Sequence, residues 1–267
     1  MALVVNSNIA SLNAQRNLTR SQSSLSTSLQ RLSSGLRVNS AKDDAAGLYI
    51  SQLLTKDIRG TNQAIRNSAD GISLAQTAEG ALSEIGNNLQ RMRELAVQSV
   101  NGSISDAART GLQEEFDELV SENTRIVADT EFNGTALLGA TLDVNIQVGV
   151  DMGDVVAVNG GVAALTGIGG VGTQAAAETV LAELTDDINA VSTSRARFGA
   201  AQNRFEAVIA NLSNFAENLT ASRSRVLDAD FAVETANLTR AQILQQAGTS
   251  ILAQANSLPQ AALSLLG

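Results

Sequence analysis

The sequence has no cysteine, no histidine and no tryptophan, and a single proline among 267 residues. Without cysteine there is no disulfide, no thiolate nucleophile and no zinc–thiolate site. Without histidine the commonest general base and the commonest metal ligand are both missing. Carboxylate or Ser-Lys chemistry stays open, so these absences weigh against an enzyme without excluding one. Positive charge is also scarce: the net charge is −9, which argues against a protein that tracks nucleic-acid phosphates. No apolar run approaches the roughly 20 residues needed to span a bilayer. The opening MALVVNSNIASLN lacks the basic-then-apolar order of a Sec signal peptide. Taken alone, these features favour a cytoplasmic protein with no catalytic centre, no cofactor, no metal and no membrane insertion.

Aromatic residues make up only 3% of the chain although 44% of it is hydrophobic. Small aliphatics in place of rings suit thin seams between helices better than one thick core. Apolar positions follow helical spacing. Leu18, Leu25, Leu29, Leu32 and Leu36 form one stripe, and no acid precedes Asp43. Gly35 reads as the residue after a helix, Ser40 as the cap of the next, and Asp43 and Asp44 as acids in its first turn. The stretch QRLSSGLRVNSAKDDAAGL (30–48) thus reads as a joint between helices, not as a catalytic loop. The following helix is expected to run to about Val100, with Ile58, Ile65 and Ile72, then Leu74, Ala78, Leu82, Ile85, Leu89, Met92 and Ala96, on its buried face. A third helix carries Leu112, Phe116, Leu119, Asn123 and Ile126 and stops near Asn133-Gly134.

The period then changes. Leu142, Val144, Ile146, Val148 and Val150 alternate with polar residues and glycine, and Val155–Val158 can return beside them. One hairpin is expected over about 141–158, with a Gly-rich link over 159–172. Phe198, Phe205, Leu212, Leu219 and Val226 recur every seven residues, and Phe215 falls three after Leu212, as in the second row of an a/d seam. RVLDADFAVE (225–234) interrupts that pattern, and a last helix is expected until Pro259 weakens it. From Ala241 to Gly267 there is no ionisable side chain. An exposed helix normally carries charge, so this segment is expected to be largely disordered in the monomer and to become helical only when other helices pack against it on assembly.

These residues carry a resemblance to bacterial flagellin. It lies in SLNAQRNL, LQRLSSGLRVNSAKDDAAGL, DGISLAQTAEGAL and LQRMRELAVQS towards the N-terminus. Towards the C-terminus it lies in RFGAAQNRFEAVIANL, SRVLDADFAVETANLTRAQILQQAGTSILAQAN and LPQAALSLL, and in the middle in VNIQVGVDMGD. The chain resembles a short form with little or no outer variable domain. The resemblance implies a mainly α, elongated antiparallel helical coiled coil with one small β-hairpin and paired N- and C-termini. It implies residues 1–40 and 227–267 as the two parts of an inner coiled-coil domain, and 41–226 as a rod-like outer core domain. It also implies a non-enzymatic subunit that is exported unfolded, secreted, and polymerised with itself at the tip of the extracellular flagellar filament. Leu25, Leu29, Leu32, Leu244, Ile251 and Leu258 are the expected polymerisation positions.

The partners implied are other copies of the chain, an export chaperone on the C-terminal segment, and the filament cap and hook-associated proteins. A Toll-like receptor of vertebrates is implied through Arg91, Leu95 and Glu115. A plant flagellin receptor is implied through residues 30–51, where the sequence departs from that epitope at Val38, Tyr49 and Ser51. A hook–filament junction protein shares such ends, but RELAVQS and AQNRF fit filament flagellin more fully. A chemoreceptor-like signalling hairpin is the rival from another class. It would carry heptads throughout and a membrane anchor, and Leu142–Val158 counts against it.

Overall fold

The computed structural model describes residues 8–139, 142–161 and 169–264, with side chains as far as residue 257. The elements are α1 (Ile9–Ser34), α2 (Ala45–Val100), α3 (Asp106–Asp129), β1 (Glu131–Phe132), β2 (Thr135–Ala136), β3 (Leu142–Gln147), β4 (Val155–Gly160), α4 (Gln174–Leu227) and α5 (Phe231–Ser264). The chain divides into two units, one of residues 1–56 and 218–267, the other of 57–217. Both divisions fall inside helices, α2 and α4.

In the first unit α1 and α5 pack antiparallel. Gly35 ends α1 in the left-handed conformation (φ 70°), and its N–H donates to the Arg31 carbonyl at 2.8 Å. Glycine has no Cβ to oppose that φ. The two links then pair with each other: Leu36 bridges Asp228, and the Ala229 N–H donates to the Gly35 carbonyl at 3.0 Å. The Arg37 guanidinium donates to the Val226 carbonyl at 2.8 Å, and the Arg37 N–H donates to that of Leu227 at 2.6 Å. Both carbonyls belong to the last turn of α4, which has no helical partner for them. The cap of α2 is Asp44, whose Oδ1 accepts from the Gly47 N–H at 2.8 Å, and not Ser40 as the spacing suggested. Ser40 instead donates its hydroxyl and its N–H to Asp43, each at 2.9 Å. Those bonds, the hydroxyl foremost, hold the Asp43 carboxyl below the usual carboxylate range.

The second unit has one core. Leu74, Ala78, Leu82, Ile85, Leu89, Met92 and Ala96 of α2 are all buried, and they meet Phe116 of α3, Val156 and Val158 of β4, and Val180, Leu184, Val191, Phe198 and Phe205 of α4. Nearer its start α2 buries Ile58 and then small residues: Thr61, Ala64, Ser68 and Gly71 face inward, while Ile65 and Ile72 are only half-buried. The reason is close approach. A Cβ on Gly71 would lie 2.8 Å from the Phe205 ring.

Three expectations need correction. The strands form two antiparallel pairs, not one hairpin, because Asn133-Gly134 does more than stop α3. Both residues have positive φ (51° and 75°), and they turn β1 onto β2. Asn159 and Gly160 belong to β4 and not to the link, paired with Asp143 and Leu142. Pro259 does not end α5, which stays helical to Ser264. The carbonyl that proline's missing N–H leaves free is that of Ala255, and the Asn8 side chain donates to it at 2.8 Å.

Candidate functional site

Two surfaces carry the sequence-derived candidates. The first is the α1–α5 pair. Its internal seam is narrow. On α1 it takes Ser11, Ala14 and Ser28 as buried residues, with Leu18, Ser21, Leu25 and Leu32 half-buried between them. On α5 it takes Glu234, Ala241 and Ala255, with Gly248 close enough that a Cβ would sit 3.4 Å from Leu18. Small residues let the two backbones approach, so the seam closes with Leu18, Leu25 and Leu32 as its only large aliphatics among the described residues of α1. Other aliphatics stay outside: Ile9 is 63% exposed, Leu12 54%, Leu29 51%, Ile243 60%, Leu244 51% and Ile251 58%. Of the expected polymerisation positions, Leu25 and Leu32 therefore lie at the seam, and Leu29, Leu244 and Ile251 lie on the outer surface. The side chain of Leu258 is outside the described residues.

Charge on this pair is sparse and mostly positive. Arg31 lies 3.8 Å from Glu234, whose carboxylate is 9% exposed. With Arg20, Thr27 and Arg240 they line an open groove of about 460 Å³ between the helices. At one end of the seam Asn8 does two things. Its Oδ1 caps α1 by accepting from the Ser11 N–H at 3.1 Å, and its Nδ2 holds the Ala255 carbonyl. Neither Asn8 nor Arg37 was singled out by sequence reasoning. Each acts on a residue far away in the chain, so no local spacing points to it.

The second surface is on α2 and α3 of the second unit. Arg91 Nε donates to Glu115 at 2.8 Å, and its Nη1 donates to Glu94 at 2.9 Å. These bonds, that to Glu115 foremost, raise the affinity of Arg91 for its proton. All three side chains are about half exposed or more. Leu95 was expected beside them, but it is 1% exposed and belongs to the core. It follows Met92 by three residues and precedes Ser99 by four, so it shares their inward face, and Val97 (56% exposed) is the apolar side chain that reaches solvent here.

The candidate seam on α4 splits in the same way. Phe198 and Phe205 are fully buried, while Leu212, Leu219 and Val226 are half-buried. Phe215 is 46% exposed and is not a seam residue. The buried part of the heptad is the part opposed by other elements: a Cβ on Gly160 would lie 2.3 Å from the Phe198 ring, and one on Gly71 would crowd Phe205.

Among the described residues no cluster of His, Cys, Asp and Glu could hold a metal, and no helix is long and apolar enough to cross a membrane. Paired terminal helices with an outward aliphatic face, joined through α2 and α4 to a helical unit with two small hairpins, define a helical structural protein.

Residues 5–142 match the family model for the bacterial flagellin N-terminal helical region, and residues 181–266 match that for the C-terminal helical region. The chain is 44% identical to a flagellin of Halalkalibacterium halodurans over 99% of its own length and all of that protein, and 43% identical to a flagellin of Xenorhabdus nematophila over the full length of both. Among solved structures, the crystal structure of Bacillus cereus flagellin is similar with TM-score 0.50 at 30% identity, covering 59% of this chain and 94% of that one. A flagellar hook-associated protein of Vibrio parahaemolyticus shares the fold with TM-score 0.61 at 16% identity, covering 70% of this chain and all of that one. The chain belongs to the bacterial flagellin family, the structural proteins of the flagellar filament. Its alignment with flagellin B of Vibrio cholerae spans 376 positions, so that longer relative carries sequence with no counterpart in these 267 residues. The present chain fits a flagellin with little variable domain, and the hook-associated reading is the less supported one.

Proposed function

We propose that the outer face of the α1–α5 pair is the surface through which this filament subunit polymerises, and that the subunit is secreted and has no enzymatic activity. One observation carries the reading: Leu29, Ile243, Leu244 and Ile251 stand exposed on helices with little charge, while the seam between α1 and α5 buries mainly Ser and Ala with half-buried Leu18, Leu25 and Leu32. Covering those aliphatics with other copies removes apolar area from water at about 25 cal/mol per Å². An uncharged face also lets copies meet without desolvating ions. The end of α5 is the natural segment for an export chaperone to shield before assembly. The filament cap and hook-associated proteins, built on similar ends, are the other partners that fit this face. The exposed Arg91–Glu115 pair supports recognition of the monomer by a vertebrate Toll-like receptor, and residues 30–51 support recognition by a plant receptor.

Truncation after Arg240 tests the assignment. The second unit keeps all its core residues in that variant. The truncated chain is expected to stay folded and monomeric, with cooperative melting by circular dichroism, and to fail to extend filament seeds under the electron microscope. Filaments of normal length from the truncated chain would remove α5 from the polymerisation surface.

A further inference from the structure

We propose that Met152 is the site at which peroxides modify the folded chain, and that the modification leaves the fold intact. The chain has no cysteine, histidine or tryptophan, so its three methionine thioethers are its most readily oxidised groups. Met1 lies outside the described residues. Met92 and Met152 stand in opposite environments.

Met92 is 0% exposed in the core of the second unit. Its sulfur accepts a hydrogen bond from Asn123 Nδ2 at 3.5 Å, and Asn123 is itself fully buried and accepts from Asn88 at 2.8 Å. An oxidant reaches that sulfur only when the unit opens. Met152 is 102% exposed at the tip of the turn between β3 and β4. The turn is fixed without it. Gln147 Nε2 donates to the carbonyls of Gly149 at 3.0 Å and Asp151 at 2.6 Å, and the Val148 N–H donates to that of Asp154 at 2.8 Å. The fully exposed Met152 side chain contributes nothing to this scaffold, so converting it to a polar group breaks no contact.

The chemistry is a two-electron oxygen transfer. A sulfur lone pair attacks one oxygen of hydrogen peroxide, an S–O bond forms and the O–O bond breaks. The departing hydroxide takes up the proton left on the transferred oxygen. The products are methionine sulfoxide and water, with sulfur oxidised and peroxide reduced. The step is reversible by methionine sulfoxide reductase, so the site can be cleared as well as marked.

The test uses the full-length chain treated with hydrogen peroxide, quenched over time, and cleaved after glutamate. Met152 then falls in the fragment Phe132–Glu178 and Met92 in Ile85–Glu94. The Phe132–Glu178 fragment is expected to gain one oxygen faster than Ile85–Glu94 by on the order of ten-fold or more, with the helical melt unchanged. In urea the two fragments should react at similar rates, and sulfoxide reductase should restore the original mass. Met152→Leu should abolish uptake on its fragment and leave the Met92 rate as it was. Equal rates on the two fragments in the native chain would overturn the proposal. So would an unmodified Met152 fragment, or a lowered melt after single oxidation at Met152.

Discussion

Phe205 keeps its place in the core because another helix offers it a glycine. Its ring is fully buried and fills the space where a side chain on Gly71 would be. Removing the ring by Phe205→Ala should cost about 3–5 kcal/mol, the usual range for a large core truncation. Gly71→Ala gains helix propensity, yet its new methyl would stand 2.8 Å from the ring, and overpacking should cost about 1–3 kcal/mol. Phe205→Leu in the Gly71→Ala background should then cost less than the two single changes added together, because the smaller side chain vacates the contact. Urea unfolding of the four proteins measures this, and strict additivity would show that the two residues do not touch. Arg91 makes the opposite kind of contact. Its ion pairs with Glu115 and Glu94 are half exposed, so they are worth little to stability. Arg91→Ala should leave the melt close to that of the parent. It should also weaken activation of the flagellin-sensing Toll-like receptor in a reporter assay, and unchanged potency would remove Arg91 from that surface.

Among the elements, α5 shows how far sequence patterns reach. The stripe on α2 from Leu74 to Ala96 was legible because its partners all lie on one side, so burial follows helical spacing directly. The turn at Asn133-Gly134 was half legible: the dipeptide marks a break, but two-residue strands carry no period to announce a hairpin. On α5 the charge-free run was visible, but the way its helix passes Pro259 was not. That depends on Asn8, which reaches the orphaned Ala255 carbonyl from α1. Leu95 and Phe215 were misplaced for a related reason. Spacing assigns a residue to a face of its helix, but only the opposing element decides whether that face is covered. Asn8→Ala should remove both the cap of α1 and the partner of Ala255, at a cost of about 1–2 kcal/mol. Native-state hydrogen exchange should show lost protection at the Ser11 amide, whose acceptor is Asn8 Oδ1. Full protection there would mean that the Asn8 side chain is not what shields this amide.

At the scale of the molecule, the two units divide the work. The unit of residues 57–217 encloses its own core of α2, α3, both hairpins and α4 and has what it needs to fold as a monomer. The unit built from the termini closes a thin seam and turns its large aliphatics outward. The charge follows the same division: residues 57–217 hold nine Lys/Arg against 22 Asp/Glu, and the remaining residues hold nine against five. The acidic unit suits a soluble surface, and the sparsely charged one suits contact with copies of itself. The decisive measurement is seeded filament growth, followed by electron microscopy, for the double variant Leu244→Asp/Ile251→Asp. Both positions are more than half exposed, Leu244 at the edge of the open groove between α1 and α5. The monomer should therefore keep its helicity and its melt, while growth from seeds stops because each added copy would bury unpaired carboxylates. Seeds that elongate at the parental rate with this variant would contradict the account, since the outward aliphatic face could not then be where copies of the chain meet.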